Sequence, residues 1–202
     1  MVRLRTRIRH TDFHSVNMRA FTLIEMLVVA GIVTVVSGIM LANYANFGGA
    51  ITLRNLAYDV ALSLREAQTF GISVRQFEGQ FTSGYGMHIQ RSSPTTYILF
   101  ADAVTPNKRY DAGELVDSIS IGRGFFISDL CVIPASASTE TCGIDRIDVV
   151  FERPEPDARI LYNETATAQS ARIILESPRG DKAGVLVEAS GQISVVNTAS
   201  EQ

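Results

Sequence analysis

Apolar positions are concentrated near the start of the chain. No charged residue occurs from Met26 to Leu53, a run of 28 positions. A helix crosses the hydrocarbon core of a bilayer in about 20 residues. The first proline is Pro94, so nothing in this run forbids one continuous helix. Beyond it the pattern becomes a stripe. Leu53, Leu56, Ala57, Val60, Leu64 and Ala67 recur at spacings of three and four, with Arg54, Asn55, Asp59, Arg65 and Glu66 on the opposite side. That predicts an amphipathic continuation to about Phe70 whose apolar face packs on a sheet. Tyr58 and Leu62 fall on the polar side, either as isolated exposed apolar residues or as contacts to neighbouring helices. Gly38, Gly48 and Gly49 are the weak points of this helix. A loop at Gly48-Gly49 is the competing arrangement.

After Gly71 the period shortens to two. Tyr85, Met87 and Ile89 alternate with Gly86, His88 and Gln90; Leu115, Ile119 and Ile121 alternate with Val116, Ser118 and Ser120. Ile147, Val149 and Phe151 alternate with Asp148, Val150 and Glu152, and Tyr97 to Phe100 is a short apolar run. Further strands are predicted over 172–176, 184–188 and 192–196, separated by SPRGDK and ASG turns. Such short connections require antiparallel pairing. The expected fold class is therefore α+β: a long N-terminal helix, transmembrane in its first half, packed on an antiparallel head. The expected divisions are a leader at 1–20, a membrane or filament-core helix at 21–47, its amphipathic continuation at 48–70 and a β-rich head at 71–202.

Composition adds polarity to this layout. Hydrophobic residues make up 46% and charged residues 19% of the chain, which excludes a disordered protein. Residues 1–20 hold five arginines against Asp12 alone, so the net charge of −3 for the chain becomes −7 from residue 21 onward. Basic flanks stay on the cytoplasmic side of a span, which predicts a single pass with a cytoplasmic N-terminus and an extracytoplasmic acidic head. An acidic head argues against nucleic acid as a partner. Glu25 stands out as an acid at the start of the apolar run. An intramembrane carboxylate is costly unless neutralised, so it is a candidate functional group; the plain alternative is solvation at headgroup level. The leader is not an ordinary secretory signal, because the apolar stretch is too long and Ala20 precedes it.

The run Arg19-Ala20-Phe21-Thr22-Leu23-Ile24-Glu25-Met26-Leu27-Val28-Val29 resembles the cleavage and methylation motif of type IV prepilins and type II secretion pseudopilins. With the helix that follows, the resemblance covers about the first quarter of the chain. It implies cleavage by a prepilin peptidase between Ala20 and Phe21, N-methylation of Phe21 and a membrane helix starting there. Ala20 stands where the family usually has glycine. The family's acid maps onto Glu25, where it implies neutralisation of a neighbouring subunit's Phe21 amine during assembly. Met18 is an alternative start, which would shorten the leader to Met18-Arg19-Ala20. The ending ARIILESPRGDKAGVLVEASGQISVV is similar to the C-terminal hairpins of GspH/FimT-type minor pilins. The implied partners are prepilin peptidase, other pilin or pseudopilin subunits, an assembly platform with its ATPase, and membrane lipid.

Little in the head suggests catalysis. His88 is the one histidine beyond the leader; it falls on a predicted strand with no evident catalytic partners, and the expectation is a solvated or hydrogen-bonded surface histidine. No Gly-rich phosphate loop, CxxC or HxxxH pattern is present beyond the leader, so neither enzyme nor cofactor is expected. Cys131 and Cys142 lie close together in the exported part, which favours a disulfide over two thiols. Asp102, Asn107, Asp111 and Glu114 supply oxygens over 13 positions. Calcium needs six to eight such ligands and the spacing is not that of an EF-hand, so a polar connection between strands is preferred to a metal loop. Phe125 and Phe126 are expected to be buried, with one facing outward as the alternative. The leading expectation is a minor pilin or pseudopilin subunit. A DNA-uptake pilin and a bitopic anchored protein with an extracytoplasmic activity are the alternatives.

Overall fold

The computed structural model describes residues 21–73, 75–79, 81 and 84–197. Ala20, the arginine-rich leader with its two histidines, and Ser200-Glu201-Gln202 lie outside the described residues. The fold is α+β: one N-terminal helix and one curled antiparallel sheet. The helix α1 runs Leu23–Ile72 and continues through Gly38 and Gly49. Contacts divide the chain into two units, Met1–Tyr44 and Ala45–Gln202.

In the first unit the stretch Leu23–Leu41 is long and apolar enough to cross a membrane. None of it is buried. Leu23 is 83% exposed and Leu41 75%. Among the described residues nothing covers this segment.

In the second unit α1 presents the expected stripe. Leu53, Ala57, Val60, Leu64 and Ala67 are buried, Ala61 joins them, and Leu56 is half-buried against the same core. Full burial of a side chain such as Leu64 stabilises by about 1.5–3 kcal/mol. The helix stops where Ser73 caps it, its N–H donating to the Thr69 carbonyl and its hydroxyl to that of Phe70. Gly71 is required at this end. A Cβ there would lie 2.3 Å from the Phe151 carbonyl oxygen, so the helix terminus approaches the sheet backbone directly.

The ten strands are β1 (Gly84–Gln90), β2 (Thr96–Asp102), β3 (Leu115–Ser120), β4 (Phe126–Pro134), β5 (Thr141–Cys142), β6 (Arg146–Phe151), β7 (Ala158–Tyr162), β8 (Ala166–Glu176), β9 (Lys182–Glu188) and β10 (Ile193–Val196). They pair in the order β10-β9-β8-β7-β6-β1-β2-β3, with β4 added to β8 and β5 to β4. The sheet forks at β8. Ala168 pairs with Ile160 of β7 and also with Pro134 of β4. One arm then runs through β7, β6, β1, β2 and β3, and the other through β4 and β5. Met87, Ile89, Ile147, Val149, Leu130, Ile173 and Val185 from both arms join the helix stripe in one core.

Strands were expected at β1, β2, β3, β6, β9, β10 and the second half of β8, and each is present. The sequence pattern did not expose β4, β5, β7 or the start of β8. Register shifts at 127/129 and 133/134 interrupt the alternation of β4, and β5 has only two residues. Phe125 is buried and Phe126 half-buried.

Candidate functional site

Two places carry candidate chemistry. The first is the start of α1. Thr22 caps the helix: its hydroxyl oxygen accepts from the Glu25 N–H at 3.3 Å and its carbonyl from the Met26 N–H at 3.2 Å. Glu25 is therefore the third residue after the cap, the position of the acid in a Thr-x-x-Glu capping box. The helix dipole favours negative charge there. Its side chain is exposed, and so is Phe21, the residue before the cap. The acid and the residue N-terminal to the cap are thus presented outward together at one helix end. Of the expected processing pair, Phe21 is described and Ala20 is not.

The second place is on the outer face of the head, beneath the loop joining β2 and β3. The four oxygen-bearing residues considered for calcium lie in and beside this loop, and they hold its backbone. Asp102 accepts from the Asn107 and Lys108 N–H groups at 3.0 Å each. Glu114 is fully buried; one carboxylate oxygen accepts from the N–H groups of Ala103, Val104 and Thr105, and the other from Asp111. The Asn107 amide donates to Asp111 at 2.7 Å. Carboxylates engaged in this way substitute for the missing ladder partners of a loop. Burial pushes the Asp102 carboxyl above its ordinary value, against the lowering effect of its two backbone hydrogen bonds.

The same loop covers His88, so the histidine expected at the surface is buried, while the hydrogen bond allowed for it is present. His88 is 6% exposed, and its Nδ1 lies 2.8 Å from Asp148. Asp148 also accepts from Arg146 Nε at 2.7 Å and from the Tyr110 N–H at 3.2 Å. Arg146 in turn donates to the Tyr110 carbonyl at 2.8 Å. The Tyr110 ring lies over His88, with centroids 5.2 Å apart, and meets Phe100 edge-on. Cross-strand register causes this, because His88 of β1 is paired directly with Asp148 of β6. The alternation at Asp148 marked it for the outer face. The sequence could not show that a distant loop would close over that face. Burial alone would raise the Asp148 carboxyl, but hydrogen bonds and charge from His88 and Arg146 outweigh it and hold the group below its ordinary value. Every polar group of this cluster named here faces another protein group. It is built as an anchor for the loop.

Cys131 and Cys142 form a disulfide, and they stand opposite each other in the register of β4 and β5. Asp129 lies beside them, but the bonded sulfurs are no longer thiolate ligands and its Oδ1 accepts from the Leu130 and Gly143 N–H groups. A groove lined by Ile133, Ser170, Leu186 and Val196 contains Arg172, which is paired with Glu140.

No family model matches the chain, and neither a curated protein nor a solved structure matches it.

Proposed function

We propose that the protein is a prepilin-type subunit of a type IV pilus or a type II secretion pseudopilus. In this reading it waits in the cytoplasmic membrane with its N-terminus inside and its head outside. A prepilin peptidase cuts between Ala20 and Phe21 and methylates Phe21. An assembly platform and ATPase then move the helix from lipid into a bundle of sister helices.

The observation that supports this reading most is the pairing of a motif with an exposure. The run from Arg19 to Val29 leads directly into a helix whose apolar side chains through Leu41 find no cover among the described residues. Lipid covers such a surface before assembly, and like helices cover it afterwards. Glu25 has a definite task in the second state. A lone carboxylate and a lone ammonium are each expensive in an apolar medium, and pairing offsets much of both costs. The capped helix start puts the carboxylate in the first turn, beside the terminus that cleavage would create.

The test is mass spectrometry of the N-terminal peptide from membrane-extracted protein. The expected terminus is N-methylated Phe21. A polypeptide that keeps its residues upstream of 21 overturns the reading and leaves a bitopic anchored protein. As a second arm, Glu25→Ala is expected to remain in the membrane fraction and to be depleted from sheared filaments; normal incorporation removes the role given to Glu25.

A further inference from the structure

The chain has seven asparagines, and Asn163 alone is followed two positions on by serine or threonine, in Asn163-Glu164-Thr165. An Asn-x-Thr triplet is the acceptor signature for N-linked sugar. Such a triplet also arises by chance in a chain of this size, so its setting decides whether it matters. Here it forms the whole tip of the hairpin between β7 and β8. Tyr162 and Ala166 are the last paired residues, and the three between them are all exposed.

The backbone of the tip explains one of these residues and not another. Asn163 and Glu164 hold φ of 45° and 79°, both left-handed. Asparagine tolerates that conformation, so the turn by itself accounts for Asn163. It does not account for Thr165, a β-branched residue whose hydroxyl makes no hydrogen bond among the described residues. The bonds that fix the tip leave the acceptor chemistry free. Asn163 Oδ1 accepts from the Asp145 N–H at 3.3 Å, and the Asn163 backbone N–H donates to the Arg146 carbonyl at 3.1 Å. Arg109 Nη1 donates to the Glu164 carbonyl at 3.4 Å. The Asn163 Nδ2 group has no protein partner among the described residues. The nitrogen that would carry the sugar and the hydroxyl that completes the triplet are thus both unengaged on one exposed tip.

We propose that Asn163 is an acceptor for N-linked glycosylation, with a polyprenyl pyrophosphate-linked oligosaccharide as the donor. The proposal rests on the reading of the head as extracytoplasmic. In the transfer, Nδ2 attacks C1 of the donor sugar. An N–C bond forms, the C1–O bond to pyrophosphate breaks, one Nδ2 proton passes to a base of the transferase, and the pyrophosphate leaves on its lipid. A glycan is bulky and hydrophilic, which restricts it to surface positions. At this tip it displaces no buried group, because the hairpin is already closed beneath it by Tyr162 and Ala166.

The native chain is extracted from its own membrane and digested with trypsin, and the peptide 160–172 is fragmented by electron transfer. A saccharide mass on Asn163 is expected in most copies. Asn163→Gln and Thr165→Ala should each remove it, and Thr165→Ser should keep it. A bare 160–172 peptide overturns the proposal, as does a saccharide carried on Thr165, Thr167 or Ser170. Retention of the mass in Thr165→Ala overturns it too. The N-terminal peptide of the same digest separates this result from the subunit reading. N-methylated Phe21 beside a bare 160–172 peptide removes the glycan alone. A retained leader beside glycosylated Asn163 keeps the glycan and removes the processing.

Discussion

The two parts of α1 have the same backbone and opposite surroundings. From Leu23 to Leu41 the apolar side chains are exposed all round, and there is no tertiary partner among the described residues of that unit. From Leu53 to Ala67 the apolar residues occupy one face and are almost wholly buried beneath the sheet. A helix that is apolar on every side needs an apolar medium, whereas a striped one needs only a single opposing layer. The first part is therefore incomplete as an isolated chain. The second buries its stripe against the sheet, and His88, Asp148 and Arg146 on the outer face are bonded to one another. The buried core lies inside residues 45–202, whereas residues 23–41 are unburied among the described residues.

The largest effect should come from breaking the ionic anchor on the head's outer face. Asp148→Ala leaves Arg146 and His88 without their shared acceptor and is expected to cost about 3–5 kcal/mol. Urea unfolding of the full chain in mild detergent, followed through exchange in β1 and β6, measures it. The loss has a defined pH dependence. Asp148 titrates below its ordinary value, near 3.8, so on acidification the unfolded chain takes up the proton first. The contribution is fully present above that ordinary value and disappears as the pH falls through the lower folded one. The gap between wild type and Asp148→Ala should narrow accordingly in acid. Asp102 has the opposite sign, because burial raises its carboxyl and acidification through that window favours the folded state. A gap for Asp148→Ala that is constant down to pH 2 would show that its carboxylate charge is not what anchors the loop.

Next in size is the stripe itself. Leu64 is fully buried between helix and sheet, and Leu64→Ala should destabilise the head by about 2–5 kcal/mol through lost burial and the cavity left behind. The same unfolding measurement reads it. A loss below about 1 kcal/mol would mean that α1 is not what fills this core.

How much of this could be read beforehand follows from the range of the interactions involved. The stripe at Leu53, Ala57, Val60 and Leu64 was legible because helical periodicity is local, and the alternating strands were legible for the same reason. The fork of the sheet at Ala168 was not, since it depends on which of two strands, far apart in sequence, takes each half of one edge. The anchor beneath the β2–β3 loop was hidden in the same way. His88 and Asp148 are 60 residues apart, and Tyr110 reaches them only because Asp102 and Glu114 fold the loop back. Those two acids were noticed in the sequence as oxygen donors. Their actual partners are backbone N–H groups, which no residue type reveals.

The smallest expected effect draws the comparison most finely. Leu62 lies two positions from Leu64 on the same helix, yet it is 63% exposed. Val33, in the first part, is 57% exposed. Neither Leu62→Ala nor Val33→Ala removes a buried contact within the chain, so each should shift head stability by no more than about 0.5 kcal/mol. Their effects should then separate by setting. In detergent both variants should unfold with wild type. If the proposed filament assembly holds, Val33→Ala is expected to lower incorporation into sheared filaments, because in that reading the side chain packs on sister helices. Leu62→Ala lowers it only if the outer face of the head's helix is a subunit contact. A head destabilised by Val33→Ala as strongly as by Leu64→Ala would remove the distinction between the two parts of the helix, because it would place a buried partner for Val33 inside the chain.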